Sequence, residues 1–186
     1  MRDRTGQRYT ADMTSVARMA LVLAFAATAS AAAQQTQTQA PPKPAPTAMD
    51  HSQMNMRGAE VMGFDQDKTT HHFYLYEDGG AIDVSVKDAA DMKNRDAIRS
   101  HLPHIAMMFG QGNFSAPMMV HATDVPGTKA LAANKDKVSF TYRETPNGGR
   151  VDIVTTDAAT LKAAHDFMRF QIADHKTGDS GQVTRR

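Results

Sequence analysis

The chain has 186 residues, a net charge of +1 at pH 7 and no cysteine. That length suits one domain of ordinary size once an N-terminal export segment is set aside, and the interspersed charge leaves no electrostatic footprint for nucleic acid. The missing thiols exclude disulfides, thiolate nucleophiles and thiolate metal sites, so any soft-metal chemistry must draw on the 13 Met and 8 His.

Residues 1–33 read as a secretory signal peptide. Arg2, Arg4, Arg8 and Arg18 precede or flank an apolar run from Met19 to Ala29. Ala29-Ser30-Ala31 and Ala31-Ala32-Ala33 are both small-x-small cleavage sites. Met13 is an alternative start to Met1 and would leave a shorter basic segment. The apolar run falls short of the roughly 20 residues a permanent span needs. No twin-Arg pair precedes it. The expectation is general export to the periplasm or medium, with no stable membrane span after cleavage.

Residues 34–56 are expected to be a disordered linker, because Gln, Thr and Pro dominate and no apolar period recurs. Its last part, Met49-Asp-His-Ser-Gln-Met-Asn-Met56, carries Met49, His51, Met54 and Met56. Thioether and imidazole ligands suit Cu(I). The stretch resembles the Met/His-rich repeats of exported copper-resistance proteins, which implies a weak copper site. The plain alternative is a solvated tail with incidental Met.

A single domain is expected over residues 57–179, followed by a frayed polar tail, 180–186. After an irregular entry, His71 to Tyr76 alternates as a strand and Glu77-Asp78-Gly79-Gly80 signals a hairpin. Ala81 to Val86 alternates as its partner. Asp88 is the predicted N-cap of a helix running to about Phe109, whose face is Ile98, Leu102, Ile105 and Phe109. Gly110-Gln-Gly112 stops it. Pro117 to Ala122 reads as a short strand or extended connection, and Asp124 to Gly127 as a turn. Lys137 to Tyr142, the hairpin signal Pro146-Asn-Gly-Gly149 and Arg150 to Thr155 form a second strand pair. Asp157 caps a second helix from Ala158 to about His175, with Leu161, Met168 and Ile172 predicted as its buried stripe.

The two halves align at their Gly-Gly pairs. Ala81-Ile-Asp-Val-Ser-Val-Lys-Asp-Ala-Ala90 lies over Arg150-Val-Asp-Ile-Val-Thr-Thr-Asp-Ala-Ala159. The fold class expected is therefore α+β, a duplicated β-hairpin–helix unit (about 69–112 and 136–179). The two units would form one mainly antiparallel sheet with both helices packed on one side. Shared turn and cap residues are the alternative cause of the likeness.

His101 and His104 stand one helical turn apart, with Pro103 between them and Met108 on the same flank. Such a pair can hold one ion from one helix. The repeat would bring His175 near them, with His72 or His121 as a further ligand. His71 and His72 must point to opposite faces of a regular strand. His121 reads as packed. His165, within an apolar stripe, reads as a hydrogen-bonded core residue. No G-x-S-x-G, phosphate loop or H-E-x-x-H occurs, and Ser100 and Ser115 lack the context of a nucleophile.

Met62-Gly-Phe-Asp-Gln66, Thr69-Thr-His-His-Phe73, Ile98 to Ala106, Gly112-Asn-Phe114 and Phe170 to Gly178 resemble a group of small secreted bacterial proteins often labelled aspartate carbamoyltransferase. The resemblance spans about Met56 to Asp179 and implies export and a compact domain. The carbamoyltransferase motifs themselves, Ser-x-Arg-Thr-Arg and His-Pro-x-Gln, are absent. The expected function is a periplasmic metal-binding protein, a copper (or zinc) carrier, buffer or sensor using His101, His104, His175, His72 and Met108. The alternatives are a small-molecule or haem-binding module with a His-lined pocket and, third, a metal-dependent hydrolase; binding is favoured over catalysis.

Overall fold

A computed structural model describes residues 48–186, so the expected signal peptide and most of the expected linker lie outside the described residues. Five strands form one mixed sheet in the order β3-β4-β2-β1-β5, with helices packed against it. In chain order the elements are α1 (Ala48–Met62), β1 (Thr69–Tyr76), β2 (Gly79–Val86), α2 (Met92–Gly110), α3 (Ser115–His121), α4 (Thr128–Ala133), β3 (Val138–Thr145), β4 (Gly148–Thr155), α5 (Ala158–His175) and β5 (Val183–Thr184). The architecture is α+β, as the alternating strands and the two 3.6-period stretches predict.

Each hairpin closes over two residues, Glu77-Asp78 between Tyr76 and Gly79 and Pro146-Asn147 between Thr145 and Gly148. The hairpins join through β2 and β4, which run antiparallel with Ile82 opposite Val151. These two residues are also the ones the internal alignment superposes. Glycine is required where the hairpins cross. A Cβ at Gly79 would lie 2.0 Å from the Ile153 carbonyl oxygen, and one at Gly148 would lie 2.0 Å from that of Val84. No side chain fits there. The shared Gly-Gly pair thus has a packing cause in both halves.

Alternation along the strands separates two faces. Phe73, Leu75, Ile82, Val84, Val151 and Ile153 point to the helices and are buried. α2 contributes Ile98, Leu102, Ile105 and Phe109 to this core, the stripe read from the sequence. α5 contributes Ala163, Ala164, Phe167 and Met168. Both helices cover the same face, and the Phe109 and Phe167 rings meet edge to face at 6.0 Å. The opposite face is polar, with the Arg150 guanidinium 5.1 Å from the Tyr74 ring centre and donating to Tyr76 Oη and Asp152.

Several expectations need correction. Composition places the linker through residue 56, but α1 begins at Ala48 and lies against α3, with Met54 buried. The N-cap of α2 is Asp91, which accepts from the Asn94 N–H at 3.1 Å. Asp88 instead accepts from the Ala90 N–H at 2.9 Å in a turn before the helix. Residues 115–121 are helical rather than extended. Pro117 stands in the first turn, where its missing N–H costs nothing, and the Asn113 side chain accepts from the Ser115 N–H. Leu161 and Ile172 are only partly buried, while Phe167, Met168 and Gln171 face inward.

The tail beyond Asp179 is docked, not frayed. β5 pairs in parallel with Leu75 and Tyr76 of β1. The Arg186 guanidinium reaches Asp78, Asp152 and the carbonyls of Gly80 and Ile153. Unpaired backbone on the β1 edge and four acidic or carbonyl acceptors give these polar residues a binding place that a count of apolar residues does not reveal. Among the described residues no helix is long and apolar enough to cross a membrane.

Candidate functional site

The inner face of the sheet, α2, α3 and the C-terminal half of α5 line a cavity of about 70 Å³ that opens to solvent. Most of its wall is apolar. Phe73, Ile82 and Val84 form the floor, Leu102, Ile105 and Phe109 one side, and Ala116, Pro117, Val120 and Phe167 the other. Its polar groups are four imidazoles, His71, His101, His121 and His175, and the amide of Gln171. Among the described residues no carboxylate, hydroxyl or amine lines it.

Each histidine reaches the cavity for a local reason. His71 has the strand parity of Phe73 and Leu75, so it faces the helices. Its ring stacks on His175 at 5.2 Å and on Phe64 at 6.0 Å. His101 follows the α2 core stripe on its flank and meets Phe64 edge-on at 6.0 Å. His121 closes α3 with a side chain that is 1% exposed; its Nδ1 meets the Asp174 carboxylate and its Nε2 lies 3.0 Å from Gln171 Oε1. His175 ends α5 and stands edge-on to His121 at 5.0 Å.

Burial sets the electrostatics. It holds His71 down to about 4, helped by the neighbouring His72 and His101. Burial, with His104 close by, also holds His101 at about 4. Both rings are therefore neutral at pH 7, because charging them in this poorly solvated wall is unfavourable. His71 Nε2 and Gln171 Nε2 are buried without a hydrogen-bond partner.

The structure brings together two of the five residues named for the main metal site, His101 and His175. His104 is exposed and borders a shallow recess beside the cavity, with His101, Met62 and Ser100. Met108 is half-buried and outside the cavity wall. His72 points to the other side of the sheet, where Asp179 holds its Nδ1 at 2.8 Å and also accepts from the Phe73 N–H. Met49, His51, Met54 and Met56 all fall in α1; Met54 is buried and Met56 is 62% exposed, so these two thioethers face different surroundings. Among the described residues no group of three or more His, Asp or Glu side chains is placed to hold a metal ion. His165 is a core residue, its Nε2 2.8 Å from the Tyr76 carbonyl and 3.1 Å from that of Gly79.

Sequence reasoning missed His71 and Gln171 as members of the site, and offered His121 only as one alternative for a further ligand. The signal for His71 was its parity with Phe73 and Leu75, which decides between the adjacent histidines. No local signal marked Gln171, which meets His121 only through the packing of α3 on α5. Comparison of the chain with known families, curated proteins and solved structures finds no match.

Proposed function

We propose that this domain is an exported binding module for a compact, largely apolar molecule carrying one hydrogen-bonding group. The observation that supports this reading is the pair of orphaned nitrogens, His71 Nε2 and Gln171 Nε2, on two residues that line one largely apolar cavity. A buried polar atom without a partner costs about 1–3 kcal/mol, and a ligand that met both apolar wall and orphaned group would recover it. Small-molecule sites have this composition, apolar walls with a few placed polar groups.

The volume narrows the class. The cavity, about 70 Å³, lies well below the roughly 300–1,000 Å³ of ordinary ligand pockets. It takes the edge of a ring or a short branched chain, with the remainder in the mouth, and a haem would require the helices to part. A wall without carboxylate, hydroxyl or amine favours binding over hydrolysis. Capture of copper or zinc by the imidazoles would require His71, His101, His121 and His175 to converge from their present stacked and edge-on packing.

The test is calorimetric titration of the mature protein with phenol and with toluene, beside Ala116→Leu, which fills the wall. Phenol should bind one to one and more tightly than toluene, and Ala116→Leu should abolish both. Absence of binding, or equal binding in the variant, would reject the reading. Titration with Cu(I) and Zn(II), wild type beside His101→Ala/His104→Ala, tests the metal alternative. A tight site lost in the double variant would replace the proposal.

A further inference from the structure

The polar face of the sheet, opposite the cavity, holds a second built site. Arg186 sets its guanidinium over the Tyr76 ring, 4.6 Å from the ring centre. Its Nε donates to the two carboxylate oxygens of Asp78 at 3.0 and 3.1 Å, and one terminal nitrogen donates to Asp152 at 2.7 Å. The other terminal nitrogen donates to the Ile153 and Gly80 carbonyls at 3.0 and 3.2 Å. Every nitrogen of the fork is thus met, on an aromatic face and between two charged and two neutral acceptors. These are the elements by which proteins recognise arginine, acceptors spread around the planar fork and a π-face for its weakly hydrated cation.

The walls of this site stand without the tail. Arg143 and Arg150 each donate from Nε to Asp152 at 2.9 Å, and Arg150 also donates to Tyr76 Oη at 2.9 Å. Gly80 faces Ile153 in the β2–β4 register, and the Asp78 carbonyl accepts from the Thr155 N–H at 2.9 Å. None of these bonds involves residues 180–186. A site preorganised in this way keeps its shape when its occupant leaves, and preorganisation favours binding. The occupant, by contrast, is lightly held. Residues 180–185 contribute one apolar side chain, Val183, which is 40% exposed, and the β5 pairing covers only Val183 and Thr184. Such a segment opens locally at small cost. Among the described residues Asp78 has Arg186 as its one cationic partner, so the opened site carries an unbalanced carboxylate.

We infer that this is an arginine-binding site, which Arg186 fills from within the chain and which takes the alkylguanidinium group of another molecule when Arg186 withdraws. The ligand class is an arginine side chain, free or carried on an extended segment that pairs with the β1 edge as Val183 and Thr184 do. Lysine is a poor substitute, because a point charge cannot meet acceptors spread around a planar fork. The inference stands apart from the cavity and its ligand.

The test uses the protein with Arg186→Ala and two probes, N-acetylarginine amide and an acetylated peptide of residues 182–186. Their controls are N-acetyllysine amide and the same peptide with Arg185→Lys and Arg186→Lys. NMR follows the amides of Tyr76, Gly80 and Ile153 with probe up to about 5 mM, the order of the effective concentration that a tether gives the tail. An arginine probe should bind the variant, its lysine control at least about tenfold more weakly, and a further Asp78→Asn should weaken it about tenfold. A tighter peptide assigns the site to an extended segment, and a single residue that binds as well assigns it to the free side chain. In the unaltered protein the probe competes with the tethered Arg186, so it should bind at least about tenfold more weakly. There it should also hasten amide exchange at Glu77, whose N–H donates to the Thr184 carbonyl at 3.0 Å, a readout that needs no variant. Four results would each overturn the inference: no binding to Arg186→Ala, equal affinity for the lysine control, indifference to Asp78→Asn, or equal affinity for the unaltered protein.

Discussion

Acidification should destabilise the domain before its carboxylates titrate, and His71 should be the main cause. In the unfolded chain this imidazole takes up a proton near 6.5, whereas in the folded wall it resists until about 4. Between these values the unfolded state binds more protons, so stability falls as pH falls through the window and is fully present above it. The gap of about two and a half units corresponds to about 3 kcal/mol at the low end. His101 contributes in the same direction over the same window, by less, because its ring is only partly buried and solvent screens it. A loss of about 3 kcal/mol is a large share of the roughly 5–15 kcal/mol that holds an ordinary domain folded. Asp157 titrates elsewhere. Hydrogen bonds from the Thr160 hydroxyl and N–H, and Lys137, hold it at about 2, so its contribution is lost below the histidine window. The assay is urea unfolding of wild type and His71→Leu at pH 7 and at about pH 4. The wild type should lose about 3 kcal/mol more than the variant. Equal losses in the two proteins would show that His71 is not the buried neutral base described.

Other substitutions test the fold and the limits of the site. Ile98→Ala, at a fully buried position of α2, should cost about 2–5 kcal/mol in denaturant unfolding, and a loss below about 0.5 kcal/mol would mean that the α2 face is assigned wrongly. His104→Ala should change stability by less than about 0.5 kcal/mol and leave phenol affinity unaltered; a tenfold weaker affinity would place His104 inside the site. Asp91→Ala should lower the melting temperature more than Asp88→Ala, and the reverse order would return the cap to Asp88. Removal of residues 179–186 should accelerate amide exchange at Phe73 and Glu77, whose N–H groups donate to Asp179 and to the Thr184 carbonyl. Unchanged protection there would show that the tail does not cover the β1 edge.

The parts of the fold with strong local signals were legible in the sequence. Two-residue turns flanked by Gly-Gly, alternating strands and a four-residue apolar stripe on α2 each have one physical solution, and all three stand as expected. What escaped were decisions made by distant partners. Asp88 and Asp91 are both acceptable caps by residue type, and the choice fell to the side chain of Asn94, which also donates to Asp91. Pro117 suggested extension, yet a proline in a first turn is equally at home in a helix. The polar tail found acceptors on Asp78 and Asp152 that lie far away in sequence.

The histidines divide in the same way. His165 was placed correctly because its neighbours at helical spacing are apolar. His101 and His104 were read as a pair because they lie one turn apart, but only His101 reaches the cavity. His71 and His72 differ by one residue and therefore by one face. The i, i+3 spacing thus describes a helix surface, and the site is made by β1, α2, α3 and α5 together. Gly79 and Gly148 offer a related lesson. The internal likeness they anchor suggested duplication, and each also has a steric need for glycine against the other hairpin.

The claim that the cavity is a ligand site is tested most directly by crystals of the protein soaked in 4-bromophenol, with data collected at the bromine edge. The account predicts one strong anomalous peak between Ile105 and Phe167, with the phenol oxygen within hydrogen-bond distance of His71 Nε2 or the Gln171 amide. Bromine found only on the surface, or a cavity filled by water alone at a concentration that saturates the protein in solution, would contradict it.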